Sequence, residues 1–265
     1  MEIKSLGYRT DLFLLGLGGS EVHDTGEYVV VRTPANPTFW WGNFLLYRTP
    51  FAAGDVERRL AEFHTQFPDA EHVAIGVDTT DGTVGADGIK EELAERGATI
   101  EFSTVMAANT VVAPARPNTT STYRMLSGDD WEQVYTIGLA TATMTVDDGY
   151  REFLQRRVAS DRARVEAGHG VWFGAFDGDR LQASLGLMFD RQGLARFQNV
   201  QTHPDDRNQG IASTLVHHAS TYGFEHGAET LVMVADPDYL AIRIYRALGF
   251  SDSETQLGMS IPPAS

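Results

Sequence analysis

The alternation of apolar and polar positions divides the chain into short strands and amphipathic helices. Tyr28-Val29-Val30-Val31-Arg32 reads as a buried strand, and residues 38–48 (TFWWGNFLLYR) as another, with Gly42 marking a bulge. Val56, Leu60, Phe63 and Phe67 recur at helical spacing, which predicts a helix over 55–67 that Pro68-Asp69 ends. A short strand over 72–77 follows. A helix over 88–96 turns Ile89 and Leu93 inward and stops at Gly97. A strand over 99–105 completes this half. Leu12 to Leu17 is a short apolar run preceded by Asp11, with no basic region leading into it as a signal segment would have.

Residues 113–122 (APARPNTTST) form a Pro- and Thr-rich connection and divide a domain over 1–115 from one over 116–265. After it, 123–126 reads as a strand. Ser127 is the expected N-cap of a helix that turns Trp131, Val134 and Tyr135 inward, with Asp130 in the capping-box position. A second helix opens at Thr145-Val146-Asp147-Asp148 and carries Phe153, Leu154 and Val158; its charged run over 151–164 reads as a solvated face. Strands over 171–176 and 181–189 form a hairpin through Asp177-Gly178-Asp179. Strands over 194–202, 230–234 and 255–261 and helices after Gly210 and after Asp236-Pro237 give the order β-α-α-β-β-β-α-β-α-β. The first half follows a similar order with little sequence match, as a degenerate second copy of half the same fold would.

The stretch 194–213 (LARFQNVQTHPDDRNQGIAS) carries the clearest chemistry. A strand turns at Pro204-Asp205-Asp206 and enters a helix through a small-residue loop. The first-turn amides of a helix lack intrahelical acceptors and carry partial positive charge, so the element can hold a phosphorylated ligand. Gly210 and Ala212 leave the backbone open to a pyrophosphate. Ile211, Leu215, Val216, Ala219 and Tyr222 fall on one face of the helix.

This element resembles the acyl-coenzyme A loop of the GCN5-related N-acetyltransferase superfamily, whose pattern is Gln/Arg-x-x-Gly-x-Gly/Ala; Arg207, Gly210 and Ala212 match it. Downstream, residues 238–250 (DYLAIRIYRALGF) are similar to the family's Asn-x-x-Ala-x-x-Leu-Tyr-x-x-x-Gly-Phe, with Asp238 in place of Asn and Ile244 in place of Leu. The resemblance covers roughly the last 145 residues. It implies an α/β fold with a mixed sheet, of the GNAT acyl-CoA N-acyltransferase type. In tandem with it stands a degenerate N-terminal half, whose turn at Thr49-Pro50-Phe51-Ala52-Ala53-Gly54 lacks the loop pattern.

Composition narrows the partners. With 265 residues and 42% hydrophobic content the chain has ample material for a core. Cysteine is absent, which removes disulfides and thiolate chemistry and suits a reducing cytoplasm. No apolar run approaches the ~18 residues of a membrane span. A net charge of −15 argues against nucleic acid and anionic membranes and is compatible with a cationic substrate such as an amine. No metal-ligand spacing appears; adjacent His217 and His218 point to different helix faces.

The resemblance implies an acetyl-CoA-dependent N-acetyltransferase. In such an enzyme a primary amine of a small molecule or peptide attacks the thioester directly. Acetyl-CoA is the acyl donor and the amine the acceptor; cytoplasmic location is expected and a homodimer is one open arrangement. The backbone of Val200, Gln201 and Thr202 would pair with the acyl-pantetheine arm, and an amide near Val200 would face the oxyanion. The amides of Asn208, Gln209, Gly210, Ile211, Ala212 and Ser213 would hold the pyrophosphate, with Arg207 adding charge or pairing with Asp205 or Asp206. Tyr245 would protonate the leaving thiolate. Asp238, Ala241 and Tyr245, spaced i, i+3 and i+7, would share a cofactor-facing helix face, with Leu240, Ile244 and Leu248 on the sheet. No carboxylate lies in 195–202 to act as general base. Asp190, at a turn, and His203, at the strand's end near the phosphates, do not suit the role. Glu132, Asp148 and Glu152 lie where the family builds its acceptor site and are the candidates. An amine of lowered pKa with a water chain would need no dedicated base. A non-catalytic acyl-CoA-binding or interaction module with the same fold is the alternative.

Overall fold

The computed structural model describes residues 2–143, 145–239 and 241–263. The chain divides into two units that are not contiguous in sequence. One holds residues up to 105, 234–237 and those from 253 on; the other holds 106–233 and 238–252. Among the described residues no helix is long and apolar enough to cross a membrane.

The first unit runs α1 (Leu6–Leu17), β1 (Glu21–Asp24), β2 (Tyr28–Arg32), β3 (Phe44–Tyr47), α2 (Asp55–Gln66), β4 (Val73–Val77), α3 (Ile89–Glu95) and β5 (Thr99–Ala108). The strands lie in the order β1-β2-β3-β4, followed by β11 (Ser251–Ile261) and β5. β1, β2 and β3 are antiparallel, β3 and β4 are parallel around α2, and β11 pairs antiparallel with β4, Leu257 opposite Val77. The last strand of the chain therefore lies inside this sheet, between β4 and β5. Val29, Val30, Val31, Phe44, Leu45, Leu46, Val56, Phe63 and Ile75 form its dry core. Parallel β3 and β4 are buried at every position, as strands covered on both faces are.

Two local expectations change here. The segment 38–48 is not one strand: Trp40–Gly42 is a 3₁₀ turn, and only Phe44–Tyr47 is extended. The Asn43 side-chain amide donates to the Asn36 and Phe39 carbonyls, and Thr33 Oγ1 donates to the Gly42 carbonyl, which bends the chain. A β-carbon on Gly42 would collide with the Phe39 ring, so the glycine serves the turn and not a bulge. The apolar run at 12–17 belongs to α1, which Ser5 opens by accepting the Tyr8 N–H.

The second unit runs β6 (Thr122–Met125), α4 (Asp130–Ala140), α5 (Asp148–Glu166), β7 (Gly170–Asp177), β8 (Arg180–Phe189), β9 (Leu194–Thr202), α6 (Ile211–Glu225), β10 (Thr230–Ala235) and α7 (Ile242–Ala247). Its strand order is β10-β9-β8-β7-β6, with β9 and β10 parallel around α6 and the rest antiparallel. Successive residues of a strand point to opposite faces. Phe173 meets Tyr222 of α6 at 5.2 Å between ring centroids, and Trp172 meets Trp131 of α4 at 5.4 Å. Thus α6 covers one face and α4 the other.

The helix starts differ in detail from the sequence pattern. At α4 the N-cap is Asp129, but the acid half of the box forms: Asp130 accepts the Ser127 N–H at 2.8 Å. Asp147 caps α5 by accepting the Tyr150 N–H. Leu154 and Val158 are buried as expected, whereas Phe153 is exposed. The last helix begins at Ile242, beyond the expected start at Asp236-Pro237.

Candidate functional site

β9 and β10 diverge. Their registered pairing runs only from Thr230 opposite Leu194 to Val232 opposite Arg196. From Phe197 to Thr202, β9 is bonded on its β8 side and open toward β10. The slip lies where β9 carries an extra residue: Gly186 of β8 faces Gln198, but Ser184 faces Gln201. Asn199 absorbs it in the left-handed region, at φ +47°. A bulge unpairs local amides and re-aims side chains. Val200, Gln201 and Thr202 follow it, all half-buried along the open edge.

Beyond β9 the chain turns through Pro204–Asp206. Arg180 holds Asp206 with two bonds of 2.7 and 2.8 Å, and Gln182 Nε2 adds a third at 2.8 Å. These donors hold the Asp206 carboxyl below the usual carboxylate range, the Arg180 bond most. Arg207 does not take that partner; its Nε reaches the Thr202 carbonyl at 3.4 Å, and its side chain is exposed. Asn208 and Gly210 are both left-handed, at φ +62° and +73°. This places Gly210 as the N-cap of α6.

The first amide of that helix with an intrahelical acceptor is Thr214, bonded to the Gly210 carbonyl at 3.1 Å. Among the described residues the amides of Asn208, Gln209, Gly210, Ile211, Ala212 and Ser213 have no protein acceptor. Orphan amides at a helix start favour an anion. No acidic residue stands in the first turn to compete. Gly210 owes its identity to something else as well: a β-carbon there would meet the Arg116 carbonyl of the connecting segment.

Tyr245 lies in α7 and is 5% exposed. Burial, with the nearby Tyr239 phenol, pushes its own phenol up, so it stays protonated through the neutral range. Its ring packs on Phe250, which packs on Phe197 of β9 at 5.9 Å. Tyr245 is thus tied to the α6 face of the open strand. Asp238 is not on its helix face: it sits exposed in the turn before α7, and Ala241 is the N-cap. Ile244 is half-buried and Leu248 fully buried; Leu240 lies outside the described residues.

The acids named from the sequence do not reach the strand. Glu132 and Asp148 are exposed, Glu152 pairs with Arg156 at 2.6 Å, and Asp190 caps its own turn by accepting the Gln192 and Leu194 amides. His203 stays at the turn, beside the Asp205 amide. A buried acid that does reach it is Asp161 of α5, 3% exposed, whose Oδ2 accepts from Asn199 Nδ2 of the bulge at 3.1 Å. It lies in the charged run that read as solvated. The signal was present: Leu154, Val158 and Asp161 fall at i, i+4 and i+7, on one inward stripe.

Residues 131–250 match the sequence profile of the Acetyltransferase (GNAT) family. This segment is a GNAT domain. A comparison with curated protein sequences finds no match. Among solved structures the chain is similar to a GCN5-related N-acetyltransferase from Kribbella flavida, with TM-score 0.67 and 17% identity, covering 98% of this chain and 97% of that one. It is also similar to a functionally unknown conserved protein from Staphylococcus epidermidis, with TM-score 0.72, 11% identity, and 93% and 96% coverage. A tandem GNAT protein from the clavulanic acid biosynthesis pathway aligns at TM-score 0.51 and 13% identity, over 90% and 83%. At these identities the likeness is one of fold.

The first unit repeats the strand–helix–strand element of the GNAT domain in β3-α2-β4. Gly54, at φ +81°, caps α2 as Gly210 caps α6. There the likeness ends. The β3–β4 pairing runs to Tyr47 opposite Val77, the last residue of both strands, so no edge opens. Asp55 and Glu57 occupy the first turn of α2, and Asp55 accepts the Ala52 amide at 2.9 Å. A carboxylate therefore stands where a phosphate would need to sit.

Proposed function

We propose that the chain is an acetyl-CoA-dependent N-acetyltransferase acting on a primary amine of a small molecule or peptide. The observation that carries this reading is the coincidence of three features on one strand and its loop. β9 opens from β10 after Arg196, a bulge sits at Asn199, and six successive amides from Asn208 to Ser213 await an anion. The open backbone of Val200, Gln201 and Thr202 suits the pantetheine arm as an added strand. The loop amides, with exposed Arg207 beside them, suit the pyrophosphate. Tyr245, kept protonated by burial, suits the leaving thiolate. Asp238 and Ala241 would border the cofactor from the turn before α7.

Residues 1–115 are then a degenerate GNAT-like domain without a coenzyme A loop, and 116–265 carry the catalytic domain. The filled start of α2 supports the first assignment.

The test is calorimetry with acetyl-CoA, paired with thiol release in the presence of ethylamine, phenethylamine, glycine amide and lysine. Wild type is expected to bind the thioester and release thiol with at least one amine. Ala212→Asp places a negative charge among the loop amides, where helix electrostatics favour it, and is expected to fold and lose binding at least tenfold. Binding without turnover on any amine would favour a non-catalytic acyl-CoA-binding module. Absence of binding would sink both readings.

A further inference from the structure

The loop that opens α6 is held from behind by a segment that reads in the sequence only as a connection. Asn118 lies in that segment, outside the matched residues 131–250. Its side-chain oxygen accepts the Ser121 N–H at 3.0 Å and the Tyr123 hydroxyl at 3.1 Å. A backbone N–H can only donate, so the Ser121 bond decides which end of the carboxamide is oxygen. The other end, Nδ2, faces the Gln209 carbonyl and donates to it at 3.2 Å, with Thr120 Oγ1 at the same distance. The Asn118 backbone N–H donates to Thr214 Oγ1 at 2.9 Å, and that hydroxyl donates onward to the Gly210 carbonyl at 2.9 Å. Asn118 thus spans the loop from Gln209 to the first turn of α6.

The bond to Gln209 fixes more than a carbonyl. A peptide unit is planar and trans, so its C=O and N–H point in opposite directions. With the Gln209 carbonyl turned to Asn118, the Gly210 N–H is turned away from the connecting segment. That amide is one of the six without a protein acceptor. Among the described residues the Gln209 carbonyl takes no donor other than Asn118. Turning this peptide over would rotate ψ of Gln209 and φ of Gly210, and glycine accepts either sign of φ. The residue must nevertheless be glycine, because a β-carbon would meet the Arg116 carbonyl. The close approach of 116–118 therefore demands a soft peptide at this point, and Asn118 of the same segment stiffens it.

We infer that Asn118 is a positioning residue for the diphosphate of coenzyme A: by holding the Gln209 carbonyl it aims the Gly210 amide at the anion. This rests on the reading of the chain as an acetyl-CoA-dependent N-acetyltransferase. An amide already aimed needs no reordering when the ligand arrives, which is where preorganisation adds affinity. The effect is confined to the part of the donor that bears phosphate. The pantetheine end belongs to the open edge at Val200, Gln201 and Thr202, and the bonds of Asn118 run to Gln209 and Thr214 instead.

The test uses the full chain, as wild type and Asn118→Ala, with two donors: acetyl-CoA, and S-acetylpantetheine, which carries the same thioester and no diphosphate. With the best amine of the four named above, Asn118→Ala is expected to lose about tenfold in kcat/KM on acetyl-CoA, as one hydrogen bond to a charged group is worth. On S-acetylpantetheine it should stay within about twofold of wild type. A substitution that merely loosens the fold lowers both alike, so equal losses overturn the assignment. NMR of the isotope-labelled wild type gives a readout free of turnover and of how the variant folds. On titration with acetyl-CoA the Gly210 amide proton is expected to move downfield, as a donor to an anion does. A Gly210 amide that stays in place while its neighbours shift overturns the assignment and leaves the transferase reading intact. Absence of acetyl-CoA binding by wild type in calorimetry overturns that reading, and this one with it.

Discussion

The α-carbon of Gly210 faces the carbonyl oxygen of Arg116 so closely that a β-carbon would lie 2.8 Å from it. The connecting segment is fixed there by Asn118, whose amide donates to Thr214 Oγ1 at 2.9 Å and whose Nδ2 donates to the Gln209 carbonyl at 3.2 Å. Gly210→Ala therefore meets two penalties. The left-handed conformation at φ +73° costs an L-residue about 1–2 kcal/mol, and the 116–118 segment must also shift. The expected loss is about 2 kcal/mol or more of unfolding free energy, with faster amide exchange at Asn118. A denaturant midpoint equal to wild type would show that the contact yields freely. Loss of ligand binding in any Gly210 variant would mix fold and site, which makes Ala212 the cleaner position to probe.

The brace at Asp206 ties the loop to the hairpin. Its folded carboxyl lies below its unfolded value, with the Arg180 bonds as the main cause and Gln182 adding to them. The brace therefore stabilises the fold above the unfolded carboxylate value of about 4 and is lost as pH falls through the lower folded value. Arg180 is half-exposed and can return to water, so Asp206→Asn should cost only about 1–2 kcal/mol at neutral pH. Thermal unfolding of the two proteins should converge as the pH drops below 4. A difference that persists at pH 2 would assign the loss to packing.

Asp161 has the opposite linkage. Its folded value, about 6, lies above the unfolded one, so the folded state binds the proton more tightly. Ionising it in place opposes folding as the pH rises from about 4 to about 6 and stays a liability above that. Asp161→Asn should then be more stable than wild type at pH 8, by roughly 2–3 kcal/mol at most, and equal to it near pH 4. Urea titrations at the two pH values read this directly. Equal stability at both would mean that Arg157 and Arg164 compensate the charge in full.

Features that depend on neighbouring residues were legible in the sequence. The β-branched run Tyr28–Arg32 is a strand with the expected ends, and the Asp-Gly turn sets Asp177 opposite Arg180. The loop before α6 also read correctly as a helix start, because its turn and glycine are local signals. α1 was not legible. Gly7 and Gly16 interrupt its apolar pattern, and its start is held from afar by Asp78 accepting the Lys4 and Ser5 amides and Glu254 accepting the Leu6 amide. The same distance hid Asp161, since its burial is decided by Asn199 across the fold. The reach of α7 was overestimated because Asp238, Ala241 and Tyr245 have helical spacing over residues that are not yet helical.

Tyr245 gives the prediction that bears most directly on the leaving group. Its ring is held between α7 and Phe250 by apolar contact, so removing the hydroxyl leaves the packing in place. Tyr245→Phe should keep its unfolding midpoint and its acetyl-CoA affinity. If the phenol protonates the thiolate as the C–S bond breaks, kcat should fall by about 100-fold, since a positioned acid contributes 10²–10⁴ in rate. Donors with a more acidic thiol need that proton less, so a thioester of an aryl thiol should recover most of the lost rate. Recovery with the activated donor but not with acetyl-CoA locates the defect at thiol departure. An equal loss on both donors would instead make Tyr245 a wall of the site, holding the acyl group in line without giving up its proton.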